Sequence, residues 1–78
     1  MYTMKTLDLM RPGAEGTVKD LDGDQSFLSR AVSIGFTPGV EFTVFQNYRH
    51  WPVVVWLRDT QVAIGRDEAR KIIVDESK

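Results

Sequence analysis

The chain has 78 residues, with ten basic and eleven acidic side chains, one histidine and no cysteine. A chain of this length is expected to form one domain over residues 1–78, with only about 60% of its unfolded surface buried on folding. The lack of cysteine excludes disulfides, iron–sulfur clusters and thiolate-ligated zinc. The near-zero net charge provides no excess positive field for binding a phosphate backbone.

No apolar stretch approaches the roughly 20 residues that a membrane-spanning helix needs. The longest apolar run, Val53–Leu57, has the length of a strand. The first ten residues lack the apolar core and the small-residue cleavage site of a signal peptide. We therefore expect a cytoplasmic protein that contacts a membrane only through a partner.

The residue pattern in the first part of the chain predicts one strand. Residues 1–5 are expected to be loose, and Thr6–Met10 forms a short apolar–polar segment. The Pro12–Gly13 pair predicts a turn after it. The strand follows at Gly16–Leu21, and residues 22–24 predict a second turn.

Residues 25–46 predict a helix joined directly to a strand, with Ser26 or Asp24 as the N-cap. Gly35 is placed to end the helix in a left-handed conformation, with Phe36 folding back onto it. A Pro38–Gly39 turn then leads into a strand over residues 40–46, where apolar and polar residues alternate. The predicted apolar face of the helix consists of Phe27, Leu28, Ala31, Val32 and Ile34.

The helix–strand joint is expected to belong to the core, so Ile34→Asp or Phe42→Asp should unfold the domain. The outward side chains of the helix, Ser29, Arg30 and Ser33, remain available to a partner. We regard Ser29 and Arg30 as a second candidate docking face.

The rest of the chain predicts three more strands. A projecting loop over residues 47–52 precedes a strand at Val53–Leu57, and Asp59–Thr60 forms a tight hairpin. If its edge is uncovered, Val53–Leu57 is a candidate for pairing with a neighbour in a weak homo-oligomer. The remaining predicted elements are a strand at Gln61–Ile64 ended by Gly65, a helical turn at Arg66–Lys71, a strand at Ile72–Val74 and a solvated tail at Asp75–Lys78.

Five short strands, one helix and one helical turn predict a mostly β fold, a small SH3-like barrel. Closing the sheet removes exposed edges, and this removal matters in a domain that has little core to spare. The helix cannot bury its apolar face on itself, so it is expected to cap the end or side of the barrel. An OB-like barrel is the nearest alternative.

The sequence offers no recognisable catalytic set, so we expect no enzymatic activity. His50 has no acid within five residues on either side and no nucleophile motif near it. The Asp22–Asp24 segment lacks the further ligands of a calcium loop and is better explained as a turn with a helix cap. The glycines are scattered singly, without a phosphate-binding pattern. We accordingly expect no cofactor and no metal site.

An aromatic, mildly basic cluster is the main candidate for binding. It consists of Tyr48, Arg49, His50, Trp51 and Trp56. Tyrosine, tryptophan and arginine are the favoured anchors of protein–protein contacts. The loop also resembles single-strand nucleic-acid binders, in which aromatic rings stack bases, but the balanced charge argues against that alternative. A further alternative is that Trp51 merely packs at the barrel rim beneath Tyr48.

The order and spacing of these segments resemble the FeoA family over about residues 6–75. The segments concerned are Leu7–Leu9, Pro12–Gly13, Gly16–Val18, Ser33–Gly39, Val62–Arg66, Glu68–Ala69 and Ile72–Val74. The sequence departs from the family at Phe36, where leucine is more frequent. Residues 47–52 fall in a variable region of the family, so no role for them is carried over.

The resemblance implies an SH3-like barrel that acts as a cytoplasmic accessory protein of ferrous iron uptake. Its implied partner is the membrane transporter FeoB, which has a cytoplasmic GTP-binding part, and the family is not known for enzymes. The same fold occurs as the C-terminal domain of DtxR-type metal-dependent repressors, although this chain carries no helix-turn-helix motif. A metal-sensing domain that uses His50 is therefore the alternative function.

Overall fold

The computed structural model describes residues 4–77, which form six strands and two helices. The strands are β1 (Met4–Thr6), β2 (Glu15–Leu21), β3 (Glu41–Gln46), β4 (Val53–Leu57), β5 (Thr60–Ile64) and β6 (Ile72–Glu76). The helices are α1 (Gln25–Ser33) and α2 (Arg66–Ala69), and a 3₁₀ turn spans Leu7–Leu9.

The strands form one antiparallel sheet in the order β1-β6-β2-β3-β4-β5, so β1 and β5 are its edges. Together with α1 and α2 this is the predicted mostly β, SH3-like barrel. β4 lies between β3 and β5, so both of its edges are covered and the condition for pairing Val53–Leu57 with a neighbour is not met. The free edge on this side belongs to β5.

The two ends of the described chain are more ordered than the sequence predicts. Met4 and Lys5 were expected to be loose, but they pair with Asp75 and Val74 of β6. β6 also runs beyond its predicted end, because the backbone of Asp75 pairs with β2. Residues 1–3 and residue 78, to which the predictions of a loose start and a solvated tail also apply, lie outside the described residues.

The core fills the space between the curved sheet and α1. Alternate residues of β3 point inward, as the sequence pattern predicts, and Phe42 is one of them. The rings of Phe36 and Phe42 meet at a centroid distance of 5.5 Å, within the range of favourable aromatic pairs. The buried side chains are Leu7, Met10, Val18, Phe27, Ala31, Phe36, Phe42, Val44, Val53, Val55, Leu57, Ile64, Ala69, Ile72 and Val74.

The apolar face of α1 is narrower than the sequence predicts. Phe27 and Ala31, one helical turn apart, are buried, and Leu28 packs against the core at its margin. Val32 and Ile34 were also expected in the core, but they are 58% and 44% exposed. Around the helix axis, the side chain of Val32 lies about 100° from that of Ala31, and so away from the buried face. Ile34 lies beyond the last helical residue. The exposure of Ile34 therefore removes the reason to expect that Ile34→Asp unfolds the domain. Phe42 is buried, so Phe42→Asp is still expected to unfold it.

The end of α1 follows the prediction closely. Gly35 has a φ of 88°, in the left-handed region. The amide of Gly35 donates to the carbonyl oxygen of Val32 at 3.0 Å, and the amide of Phe36 donates to that of Ala31 at 2.8 Å. These two bonds form a Schellman motif, which turns the chain so that Phe36 enters the core.

The start of α1 is capped by Asp24 rather than Ser26. Asp24 Oδ1 accepts a hydrogen bond from the amide of Phe27 at 2.9 Å. We expect Asp24→Ala to lower the free energy of unfolding by about 1 kcal/mol, because this amide then loses its partner. Urea denaturation monitored by Trp fluorescence measures the change. The control is Asp22→Ala, which removes an exposed carboxylate close by; equal losses in the two variants would contradict the capping role.

Candidate interaction surface

The predicted aromatic loop, residues 47–52, projects from the barrel between β3 and β4. Tyr48 and Trp51 are 59% and 65% exposed, and Arg49 and His50 are exposed as well. The amide of Trp51 donates to the carbonyl oxygen of Tyr48 at 3.0 Å, which closes a turn at the tip. Packing of Trp51 at the barrel rim, the alternative considered from the sequence, does not fit this exposure.

The loop is held in place by Arg66, the first residue of α2. Its Nη1 donates to Asn47 Oδ1 at 2.8 Å and to the carbonyl oxygen of Tyr48 at 2.8 Å. Nη1 also lies 3.0 Å from the carbonyl oxygen of Trp51, and Nη2 lies 3.3 Å from that of Asp8. A guanidinium is a rigid fork of donors, so one side chain fixes both ends of the loop.

Asn47 extends this network to the opposite side. Its Nδ2 donates to the carbonyl oxygens of Asp8 at 2.9 Å and Met10 at 2.6 Å. The base of the loop is thereby tied to the 3₁₀ turn and the residue after it. Neither Asn47 nor Arg66 is recognisable from the sequence as a residue that positions the loop. Their partners are carbonyls far away along the chain, and no local pattern indicates such contacts.

Ser29 and Arg30, the second predicted docking residues, are exposed on α1. Arg30 forms an ion pair with Glu68 of α2. Because Arg66 of the same short helix holds the aromatic loop, α2 connects the two predicted surfaces. Arg30 is thus partly engaged within the molecule, whereas Tyr48 and Trp51 present their rings to solvent.

Trp56 does not join the loop, contrary to the sequence prediction. It lies on the outer face of β4 and contacts Phe45, with ring centroids 6.3 Å apart in an edge-to-face arrangement. Side chains alternate between the two faces of a strand, so Trp56 points away from the core that Val55 and Leu57 enter. The loop cluster therefore comprises Tyr48, Arg49, His50 and Trp51 alone.

The exposed groups of the loop are the rings of Tyr48, His50 and Trp51 and the side chain of Arg49. Within residues 4–77, no group of three or more His, Cys, Asp or Glu side chains is arranged to hold a metal ion. Over the same residues, no helix has the length and apolar character needed to cross a membrane. The arrangement offers exposed aromatic rings on a fixed backbone, the usual composition of a protein contact site.

The fold and this surface define a small SH3-like barrel with a rigidly held aromatic loop. The chain belongs to the FeoA family: the FeoA domain matches residues 5–76. A Methanocaldococcus jannaschii protein, provisionally named Fe(2+) transport protein A, is 32% identical over 75 residues, which cover 96% of this chain and 90% of that protein.

The fold is also found in solved structures, two of which are similar to this chain overall. The crystal structure of an iron uptake regulatory protein, FeoA, superposes with a TM-score of 0.92 at 27% identity, covering 96% of this chain and all of that one. A manganese-dependent transcriptional repressor matches with a TM-score of 0.89 at 24% identity, covering 95% of this chain and 41% of that one. The second likeness concerns the fold alone.

Proposed function

We propose that this protein is a cytoplasmic accessory protein of ferrous iron transport that binds the cytoplasmic GTP-binding part of a FeoB-type transporter. Membership of the FeoA family over residues 5–76 supports a role in iron transport. The name of the M. jannaschii relative points to the same process. The protein acts by contact rather than by catalysis, and it reaches the membrane only through the transporter.

The observation that carries this proposal is the aromatic loop fixed by Arg66. Binding is weakened when a loop must be ordered at the moment of contact, and a preorganised loop avoids much of that cost. Here, hydrogen bonds from Arg66 and Asn47 hold the backbone while Tyr48 and Trp51 stay exposed. We therefore place the transporter contact at Tyr48–Trp51, with Ser29 and Arg30 as a secondary contact beyond α2.

The alternative of a metal-sensing domain finds no support in the described residues. His50 is exposed and belongs to no group of potential ligands within residues 4–77. The similarity to the manganese-dependent repressor is a similarity of fold. We therefore put forward the contact function alone.

Trp51→Ala is expected to weaken binding to the transporter's cytoplasmic part at least about tenfold, because large aromatic anchors dominate contact energies. Calorimetric titration with the purified GTP-binding part of the FeoB-type transporter from the same organism measures the dissociation constant. The titration is repeated without nucleotide, with GDP and with a non-hydrolysable GTP analogue.

Trp56→Ala is the matched control, since Trp56 is also exposed but lies in the sheet beside Phe45. It is expected to leave the dissociation constant within about twofold of the original value. Equal weakening by the two variants would refute the placement of the contact at the loop. Absence of binding in every nucleotide state would refute the proposed function.

A further inference from the structure

The 3₁₀ turn and the residues after it lie beside the base of the aromatic loop. The carbonyl oxygens of Asp8 and Met10 both accept from Asn47 Nδ2, at 2.9 and 2.6 Å. Arg66 joins the same two segments, because Nη2 lies 3.3 Å from the carbonyl oxygen of Asp8 and Nη1 lies 3.0 Å from that of Trp51. Hydrogen bonds thus hold residues 8–11 and the loop next to each other.

Two side chains of residues 8–11, those of Leu9 and Arg11, are directed to solvent. Leu9 is 64% exposed, although Leu7 and Met10 on either side of it are buried. Arg11 is exposed, and its carbonyl oxygen accepts from the amide of Ala14 at 3.0 Å, which closes the following turn. An apolar and a basic side chain are therefore presented on backbone that is already ordered.

The charge of this region is positive, whereas that of the whole chain is −1. Residues 8–11 and 47–52, taken together with Arg66, contain three arginines and one carboxylate, a formal charge of +2. The rest of the chain then carries −3. The positive charge is thus concentrated beside the exposed rings of the loop.

The three arginines of this region have no acidic partner within residues 4–77. The side chains of Arg11 and Arg49 form no hydrogen bond or ion pair there. The Arg66 guanidinium bonds only to uncharged oxygens, those of three backbone carbonyls and of the Asn47 side chain. Their charges are therefore left to be balanced by solvent ions or by a binding partner.

The acidic side chains that lie closest in the sequence are engaged elsewhere. Asp8 is half-buried, and its carboxylate accepts from the hydroxyl of Thr6. The two acidic residues that follow Arg66 form ion pairs with other arginines, Asp67 with Arg70 and Glu68 with Arg30. They do not neutralise the region around the loop.

We propose that the transporter contact extends from the aromatic loop over Leu9 and Arg11, and that the face of the partner at this contact is acidic. This inference rests on the proposed function, whose contact it enlarges. Tyr48, Trp51 and Leu9 supply the apolar area of the contact. The arginines meet carboxylates of the partner, and such complementary charges fix the register of a complex and speed its association.

A nucleic acid is another polyanion that a basic and aromatic region could meet. A long phosphate backbone would also run past the rest of the chain, whose charge of −3 repels it. An acidic patch on a protein needs to meet only the positive region. The charge distribution therefore favours a protein partner.

Arg11→Glu tests this inference, with Arg58→Glu as the matched control. Both arginines are exposed and form no ion pair within residues 4–77, so the two variants change the charge of the chain equally. Arg58 follows the end of β4 that is remote from the loop, about 17 Å along the strand. In calorimetric titration with the GTP-binding part of the transporter, Arg11→Glu should raise the dissociation constant at least about tenfold, and Arg58→Glu less than about threefold.

Leu9→Ala tests the apolar part of the enlarged contact. Because Leu9 is largely exposed, the midpoint of urea unfolding should stay where it is in the wild type. The dissociation constant for the transporter should rise about fivefold, because less apolar surface is buried on binding. A Leu9→Ala variant that binds as tightly as the wild type would show that the contact does not reach this residue.

The outcomes distinguish this inference from the proposed function. If the wild type binds the transporter and Arg11→Glu binds equally well, or if both Glu variants weaken binding equally, the inference is wrong and the proposed function stands. Failure of the wild type to bind contradicts both. Displacement of the transporter by a single-stranded DNA oligonucleotide would identify a nucleic-acid surface and overturn the acidic protein face.

Discussion

Phe36→Ala is expected to lower the free energy of unfolding by about 3–5 kcal/mol, the usual cost of emptying a large aromatic site in a core. Phe36 is fully buried, packs against Phe42 and follows the Schellman motif that ends α1. Typical stabilities of about 0.05–0.15 kcal/mol per residue leave a small domain little to spare. Much of the population should therefore unfold in mild denaturant, which urea titration followed by circular dichroism measures.

Phe45→Ala is the control for this prediction. Phe45 is also a phenylalanine next to an aromatic ring, but it is 49% exposed on the outer face of β3. Its loss should cost about 0.5–1.5 kcal/mol, the contribution of an aromatic pair without deep burial. If the two variants lost equal stability, the core as described, with Phe36 inside and Phe45 outside, would be incorrect.

Arg66→Ala is expected to free the aromatic loop while the barrel stays folded. The guanidinium bonds to carbonyl oxygens of Tyr48 and Trp51, and each charge-assisted bond is worth about 1.5–3 kcal/mol when well desolvated. Arg66 is only partly buried, so we expect a total loss of about 1–3 kcal/mol in unfolding free energy. Amide exchange in residues 47–52 should accelerate while exchange in β2 and β6 changes little.

The matched control for Arg66 is Arg70→Ala. Arg70 belongs to the same helical region and pairs with Asp67 at 2.7 Å, but both side chains are largely exposed. Exposed pairs of this kind contribute about 0–1 kcal/mol. Unchanged loop exchange in Arg66→Ala, or equal acceleration in both variants, would show that the hydrogen bonds do not hold the loop. Arg66→Ala should also weaken transporter binding, although Tyr48 and Trp51 themselves are not substituted.

Local patterns predicted much of the fold. Alternation identifies β3, an apolar run identifies β4 with the bounds that the structure has, and Gly35 marks the end of α1 because only a few residues adopt a positive φ without strain. The hairpin turn was placed one residue too late, since Leu57 pairs with Thr60 and the turn is Arg58–Asp59. Arg58 has a φ of 61°, a conformation that its residue type does not indicate.

Features that depend on distant contacts were not predictable. Met4 and Lys5 become a strand because β6 lies beside them, and their own sequence gives no strand pattern. The aromatic loop was recognised by composition, but its anchor was not, because Arg66 follows it by more than a dozen residues. Val32 and Ile34 were assigned to the core from spacing alone, whereas burial depends on what lies opposite each side of the helix.

The pairing of β1 with β6 has a consequence for how this barrel combines with other polypeptides. Met4 and Asp75 lie opposite each other on adjacent strands, so the described chain enters and leaves the barrel at neighbouring points. Backbones in adjacent strands are about 5 Å apart. Joining the two ends through a short linker and opening the chain at the exposed turn of Arg58 and Asp59 would then preserve the sheet order. The same adjacency would let a longer polypeptide carry the barrel as an inserted module whose two ends lie side by side.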